Sequence, residues 1–144
     1  MADSQIPASK ITIMVVDDIP DQVEIVRLML EKKEFNVKCV YNGPQLFAGL
    51  EEQKPDLIIL DIMMPQMDGL EVLTRLKGNP ATASIPVILL TAKVMYDEVL
   101  GGYKKGADYY MTKPFTHIQL LTGVNLLLGR DQDCSEEARI KGHT

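Results

Sequence analysis

Cysteine and histidine are scarce in this sequence. Its two cysteines are Cys39, in an apolar strand-like run, and Cys134, in a polar tail. That distribution does not build a disulfide framework, and it fits a reducing cytoplasm. Its two histidines, His117 and His143, lie far from any ligand-spaced cysteine pair, which argues against a zinc site. No apolar run approaches the roughly 18 residues that span a bilayer. The stretch from Met1 to Lys10 is polar and has no secretory hydrophobic region. Internal repeats, low-complexity tracts and a helix-turn-helix are all lacking. The net charge of −5 is spread along the chain with no basic stripe, so direct DNA binding and nonspecific attachment to an anionic membrane are both unsupported. A Gly/Ser/Thr-rich phosphate loop is missing as well. After the first apolar run comes Asp17-Asp18-Ile19-Pro20, which would repel a phosphate in the absence of a cation. This disfavours a flavin- or nucleotide-binding module.

What is present is apolar runs of strand length alternating with helical patterns. With 144 residues and 46% hydrophobic content, the chain can bury the core of one domain. Ile11 to Val16 reads as a strand that runs into Asp17-Asp18. Pro20 then suits the first turn of a helix, with Ile19, Val23, Val26 and Leu30 on its apolar face. Gln22, Glu24, Arg27 and Glu31 are assigned to the opposite, solvent face. Asn36 to Tyr41 is a second strand, and Pro44 opens a second helix with Leu46, Phe47 and Leu50 inward. Leu57-Ile58-Ile59-Leu60 is a continuous apolar run, as expected of a strand covered on both faces, and it ends at Asp61. After a loop, Gly69 to Lys77 forms a third helix. Ile85 to Leu90 is a fourth strand ending at Thr91. A helix through Asp97 to Lys105 follows; Gly101 and Gly102 each weaken it by about 1 kcal/mol relative to alanine. Ala107 to Thr112 is the fifth strand and ends at Lys113-Pro114. The last helix places Ile118, Leu121, Val124 and Leu128 on its apolar face and closes on Gly129 as a C-cap.

Five strands separated by single helices imply parallel pairing and right-handed crossovers, hence a three-layer α/β sandwich. The domain is expected over residues 10–128. Residues 1–9 are read as an N-terminal tail, and residues 129–144 as a polar tail or the start of a linker; a stand-alone domain is the favoured form.

In a parallel sheet all the strands' carboxyl ends lie on one edge, where ligands bind. That edge would gather Asp17, Asp18, Asp61, Thr91 and Lys113. Three crowded carboxylates repel one another and call for a cation. Hard oxygen donors of this kind suit Mg²⁺. Lys113 supplies a point charge for a phosphoryl oxygen, Thr91 a hydroxyl, and Asp61 a carboxylate nucleophile able to form an aspartyl phosphate. Metal and lysine would then spread the charge of the transferring group.

These positions carry a resemblance. Asp17-Asp18, Asp61 with Met64-Pro65 and Asp68-Gly69, Thr91-Ala92, and Lys113-Pro114-Phe115 look like the full signature of a response-regulator receiver domain, over roughly residues 10–128. The resemblance implies a flavodoxin-like (βα)5 fold with strand order 2-1-3-4-5. It implies phosphoryl transfer to Asp61 from a sensor histidine kinase or phosphotransfer protein. Asp18, Asp61 and the backbone carbonyl of Met63 would hold Mg²⁺, with Asp17 acting through water. Thr91 and Lys113 would contact the phosphoryl group, and Tyr110 takes the place of the switch aromatic. The Lys113–Pro114 bond is expected to be cis. The response surface would comprise the fourth helix, fifth strand and fifth helix, meeting a downstream protein or a second copy of the chain. Met63 and Lys93 occupy the two positions beside the site that tune phosphoryl lifetime in this family: Met63 offers no polar side chain to place a hydrolytic water, and Lys93 could attract or cover the phosphate.

Taken singly, each residue has an ordinary reading. Asp17-Asp18 resembles a helix cap, Asp61 a turn residue, Thr91 a strand end, and Lys113 a solvated charge. Tyr110 could be a half-buried strand tyrosine, and Cys39 a small core residue. The joint placement of four such groups on one edge outweighs the separate readings. Two alternatives stand beside the switch: a receiver fold used as an unphosphorylated scaffold, and a phosphatase of the haloacid dehalogenase type. The second requires an Asp two residues after the nucleophile, where this chain has Met63.

Overall fold

The computed structural model describes residues 7–62, 64, 69–92 and 106–130. Five parallel strands form one sheet: β1 (Thr12–Val16), β2 (Asn36–Val40), β3 (Leu57–Asp61), β4 (Val87–Ala92) and β5 (Tyr109–Lys113). Their order is β2-β1-β3-β4-β5, as the resemblance implies. The helices are α1 (Pro20–Glu31), α2 (Gly43–Glu52), α3 (Gly69–Gly78) and a C-terminal helix (His117–Leu128). The helix expected through Asp97 to Lys105 lies outside the described residues. Among the described residues no helix is long and apolar enough to cross a membrane. The expected N-terminal tail ends in one 3-10 turn, Ala8–Lys10, and Ala8 packs on the core.

Alternation along the strands divides the core in two. Ile13 and Val15 of β1, Leu57 and Ile59 of β3, and Ile88 and Leu90 of β4 face Val23, Val26 and Leu30 of α1 and Leu120 and Val124 of the C-terminal helix. Met14, Val16, Ile58, Leu60, Val87 and Leu89 face Leu46 of α2 and Val72, Leu73 and Leu76 of α3. Each central strand is therefore buried on both faces, which explains its unbroken apolar run. Register between β1 and β3 is fixed at their start: Asp56 Oδ2 accepts from Thr12 N–H at 2.9 Å, and Asp56 N–H donates to Thr12 O at 2.7 Å.

Several boundaries and faces differ from expectation. β4 begins at Val87, two residues late, because Pro86 has no N–H to enter a ladder. β5 begins at Tyr109. The Asp108 carboxylate takes the Val87 N–H at 2.8 Å and the Lys77 ammonium at 3.0 Å, while the Asp108 N–H donates to Val87 O at 3.1 Å, so side chain and backbone together lead into the strand. Ile19 is 46% exposed and serves as the N-cap residue of α1, off its apolar face. The C-terminal helix turns Leu120, Gly123 and Val124 inward, whereas Ile118, Leu121 and Leu128 are half-buried and Leu126 is exposed. Its composition is apolar nearly all round, so periodicity alone does not select a face. A capping box supplies its start: Thr116 Oγ1 accepts from Gln119 N–H at 3.1 Å, and Gln119 Oε1 accepts from Thr116 N–H at 2.8 Å. Gly129, with φ of 67°, ends it as the expected C-cap.

Gly69 fixes how α3 meets the sheet edge. Its N–H donates to Ile62 O at 2.8 Å. A Cβ at this position would lie 2.4 Å from Asp61 O and 2.7 Å from Ile62 Cα, both backbone atoms of the strand end. Gly78, at the far end of the same helix, has nothing within 4 Å of such a Cβ. Gly69→Ala is therefore expected to destabilise the fold by about 1–3 kcal/mol through overpacking, while Gly78→Ala stays neutral or gains up to about 1 kcal/mol. Urea denaturation of the pair checks this; equal stability of the two variants would refute the contact.

Candidate functional site

The edge formed by the strands' carboxyl ends brings the sequence-predicted residues together. Asp61 is the last residue of β3, Asp17 and Asp18 follow β1 directly, Thr91 lies near the end of β4, and Lys113 is the last residue of β5. Asp17, Asp61 and Thr91 are buried at 2%, 4% and 1% exposure. Apolar strands deliver these polar groups into a low-dielectric setting, where a charge must find a partner.

Three carboxylates meet one ammonium. Ligand oxygens of Asp17, Asp18 and Asp61 all lie within 4.8 Å of one another. Lys113 Nζ stands 2.9 Å from Asp61 Oδ1 and 3.3 Å from Asp17 Oδ2. Asp17 Oδ1 accepts from Ile19 N–H at 3.0 Å, so Asp17 shapes the turn into α1 as well. The cap reading does not hold: Ile19 is the N-cap residue of α1, no side chain caps that helix, and Asp17 makes a turn bond instead. Asp18 differs: its Oδ1 is buried and has no hydrogen-bond partner among the described residues. A buried, unpaired carboxylate oxygen beside two further carboxylates is a donor set suited to a divalent cation. Lys113 offsets only one of the three negative charges.

Thr91 shares a sheet face with Leu89, and Tyr110, which pairs with Leu89 across the β4–β5 ladder, is half-buried on that face. Thr91 and Tyr110 are thus neighbours on one side of the sheet. The Lys113–Pro114 peptide is cis, as expected. Met63, Asp68 and Lys93 lie outside the described residues. Cys39 is a half-buried residue at the margin of the core, and burial pushes its thiol up, away from reactivity.

One member of the site runs against the sequence reading. Gln22 does not belong to a solvent face: it is half-buried, and its Oε1 accepts from Lys113 Nζ at 2.6 Å. Helical spacing placed it opposite Val23 and Val26, but the first turn of α1 overhangs the sheet edge, so that side looks into the cleft. The only signal in the sequence was proximity to Asp17-Asp18.

Electrostatics follow from burial and crowding. Burial raises the pKa of Asp61 from 3.8 to about 6; Asp17 and Asp18 add to the rise, and Lys113 opposes it. For Lys113, burial works to lower the value, but the hydrogen bond to Asp61 and the charges of Asp61 and Asp17 outweigh it and raise it. A carboxyl raised in the folded state lends stability that is complete below its unfolded pKa and is lost as pH rises through its folded pKa. For Asp61 that window runs from about 4 to about 6. In metal-free buffer, Asp61→Asn should therefore gain on wild type across this window, by on the order of 1–2 kcal/mol at pH 7 after allowance for screening. Urea denaturation at pH 4 and pH 7 in a chelator measures the gain; a difference independent of pH would contradict it.

The family model for the response regulator receiver domain matches residues 13–125. The phosphate regulon transcriptional regulatory protein PhoB of Pseudomonas aeruginosa is 38% identical over 130 residues, 90% of this chain and 57% of that protein. The DNA-binding response regulator MtrA of Mycolicibacterium smegmatis is 36% identical over 121 residues, 84% of this chain and 52% of its own. The chain thus spans about half the length of these curated relatives. Among solved structures, the signal receiver domain of a signal transduction histidine kinase from Syntrophus aciditrophicus is 37% identical with a TM-score of 0.77, covering 85% of this chain and 95% of that one. The N-terminal domain of a response regulator receiver protein from Methanoculleus marisnigri is 41% identical with a TM-score of 0.66, covering 83% and 98%. With its sheet order, its acidic edge and these relatives in agreement, the chain belongs to the response regulator receiver domain family of two-component signalling.

Proposed function

We propose that Asp61 is the phosphoacceptor of this receiver. The observation that carries the reading is the seating of Asp61 Oδ1 2.9 Å from Lys113 Nζ, inside a cluster of three carboxylates on the ligand-binding edge of the sheet. A carboxylate oxygen of Asp61 forms the new P–O bond as the P–N bond of a phosphohistidine breaks, and the imidazole leaves with the nitrogen's electron pair. The donor is a sensor histidine kinase or a phosphotransfer protein. Lys113 moves its hydrogen bond from the Asp61 carboxylate to a phosphoryl oxygen, and the Thr91 hydroxyl meets a second one.

In this reading Asp18 and Asp61 would hold a Mg²⁺ ion directly, together with the backbone carbonyl of Met63. When bound, Mg²⁺ neutralises charge on the phosphoryl oxygens. The unpartnered Asp18 Oδ1 supports a direct ligand role for Asp18. Asp17, with one oxygen on Ile19 N–H and the other facing Lys113, suits the outer place, through water.

The chain is a switch rather than a turnover enzyme, and its own residues assist phosphoryl uptake and loss. As Thr91 is drawn to the phosphoryl group, the space beside it on the sheet face favours an inward Tyr110. This biases the surface of β5, the C-terminal helix and the helix expected through Asp97 to Lys105 toward a protein partner or a second copy of the chain. A cytoplasmic setting goes with the free thiol of Cys39.

Incubation with a small acyl-phosphate donor tests the assignment by intact mass. Wild type is expected to gain a single phosphoryl group only with Mg²⁺, and Asp61→Asn none. An adduct of equal yield in Asp61→Asn would place the acceptor elsewhere. Absence of any adduct on folded wild type would leave a receiver fold acting as a scaffold.

A further inference from the structure

Lys113 carries three N–H donors, and three oxygens face them: Gln22 Oε1 at 2.6 Å, Asp61 Oδ1 at 2.9 Å and Asp17 Oδ2 at 3.3 Å. The shortest contact is to the only neutral acceptor. The other two belong to the carboxylate cluster. A cation bound there draws on the same carboxylates, and phosphorylation of Asp61 converts the carboxylate that Lys113 holds into an acyl phosphate. Before transfer, the cation competes with Lys113 for its charged partners, at the stage when its ammonium must already be aimed. Gln22 is exposed to neither. It is uncharged, lies outside the cluster, and is carried by the first turn of α1. That turn is itself secured, because Gln22 N–H donates to Ile19 O at 3.0 Å and Ile19 N–H donates to Asp17 Oδ1.

We propose that Gln22 is a positioning residue for phosphoryl transfer: its amide oxygen keeps the Lys113 ammonium aimed at Asp61 while the carboxylates are engaged by a cation. A lysine stem is long and flexible, and a fixed acceptor at its tip removes rotamer freedom before the phosphoryl group arrives. The inference rests on the role given above to Lys113.

Two variants separate the amide oxygen from the bulk of the side chain. Gln22→Met keeps the length and the helix propensity and removes the acceptor. Gln22→Glu keeps an oxygen at the same reach. The first readout is the ¹⁵N-correlated ammonium signal of Lys113, assigned by its loss in Lys113→Arg. In wild type it should persist with and without Mg²⁺. In Gln22→Met it should persist without Mg²⁺, held by Asp61 and Asp17, and vanish at saturating Mg²⁺. In Gln22→Glu it should persist in both conditions. The second readout is the rate of phosphoryl uptake by intact mass, expected to fall about threefold to tenfold in Gln22→Met and to recover in Gln22→Glu. An ammonium signal in Gln22→Met that survives Mg²⁺, with uptake unchanged, would overturn the proposal, as would loss of the signal in Gln22→Glu. Failure of wild type to take up any phosphoryl group would instead strike the phosphoacceptor reading, and the ammonium signal would still decide the role of Gln22.

Discussion

The ion pair between Lys113 and Asp61 spans the sheet from its edge strand to its centre. β5 and β3 are separated by β4, two inter-strand spacings or roughly 10 Å. The lysine therefore reaches over the end of β4 to meet its partner at 2.9 Å. The site depends on that reach. Three crowded carboxylates, two of them buried, with one cation among them are electrostatically unbalanced, and without Lys113 all three would face one another. Removing one member of a buried charge cluster is costly when it leaves like charges unpaired, and inexpensive when it relieves them. The cluster is thus tuned toward accepting positive charge.

The rest of the fold serves to hold that imbalance in place. Apolar packing on both faces fixes β1 and β3, so Asp17, Asp18 and Asp61 cannot move apart to relieve their repulsion. Gly69 lets α3 come within contact of the Asp61 backbone, where any larger residue would push the helix away. At the opposite end of the sheet, Lys77 binds Asp108 at 3.0 Å and the carbonyls of Ala83 and Ile85 at 3.1 and 2.9 Å. This tie joins α3 to the starts of β4 and β5, and so sets the strands whose far ends carry Thr91 and Lys113.

Much of this was legible in the sequence because burial on both faces writes itself as an uninterrupted apolar run, and because each run ends in a polar residue with a task. The meeting of Asp17, Asp18, Asp61 and Lys113 on one edge follows from such runs once the strands are parallel, whereas the strand order came from the resemblance to the receiver family. What stayed hidden depends on three-dimensional neighbours. Gln22 looks solvent-facing by helical period, and only the overhang of the first turn of α1 turns it to Lys113. The C-terminal helix is apolar nearly all round, so packing decides that Leu120 joins Val124 at full burial while the expected Leu121 and Leu128 pack on the core only in part. Just before β5, the Asp108 carboxylate holds the N–H of Val87, 21 positions away, a pairing that periodicity does not reveal.

The measurement that tests the account most directly is calorimetric titration of wild type and Asp18→Asn with Mg²⁺ at neutral pH. The carboxylate crowding at the sheet edge predicts one site on wild type, weakened at least about tenfold in Asp18→Asn by loss of a charged ligand. Absence of Mg²⁺ binding to the folded wild type, or equal affinity in the two proteins, would contradict it.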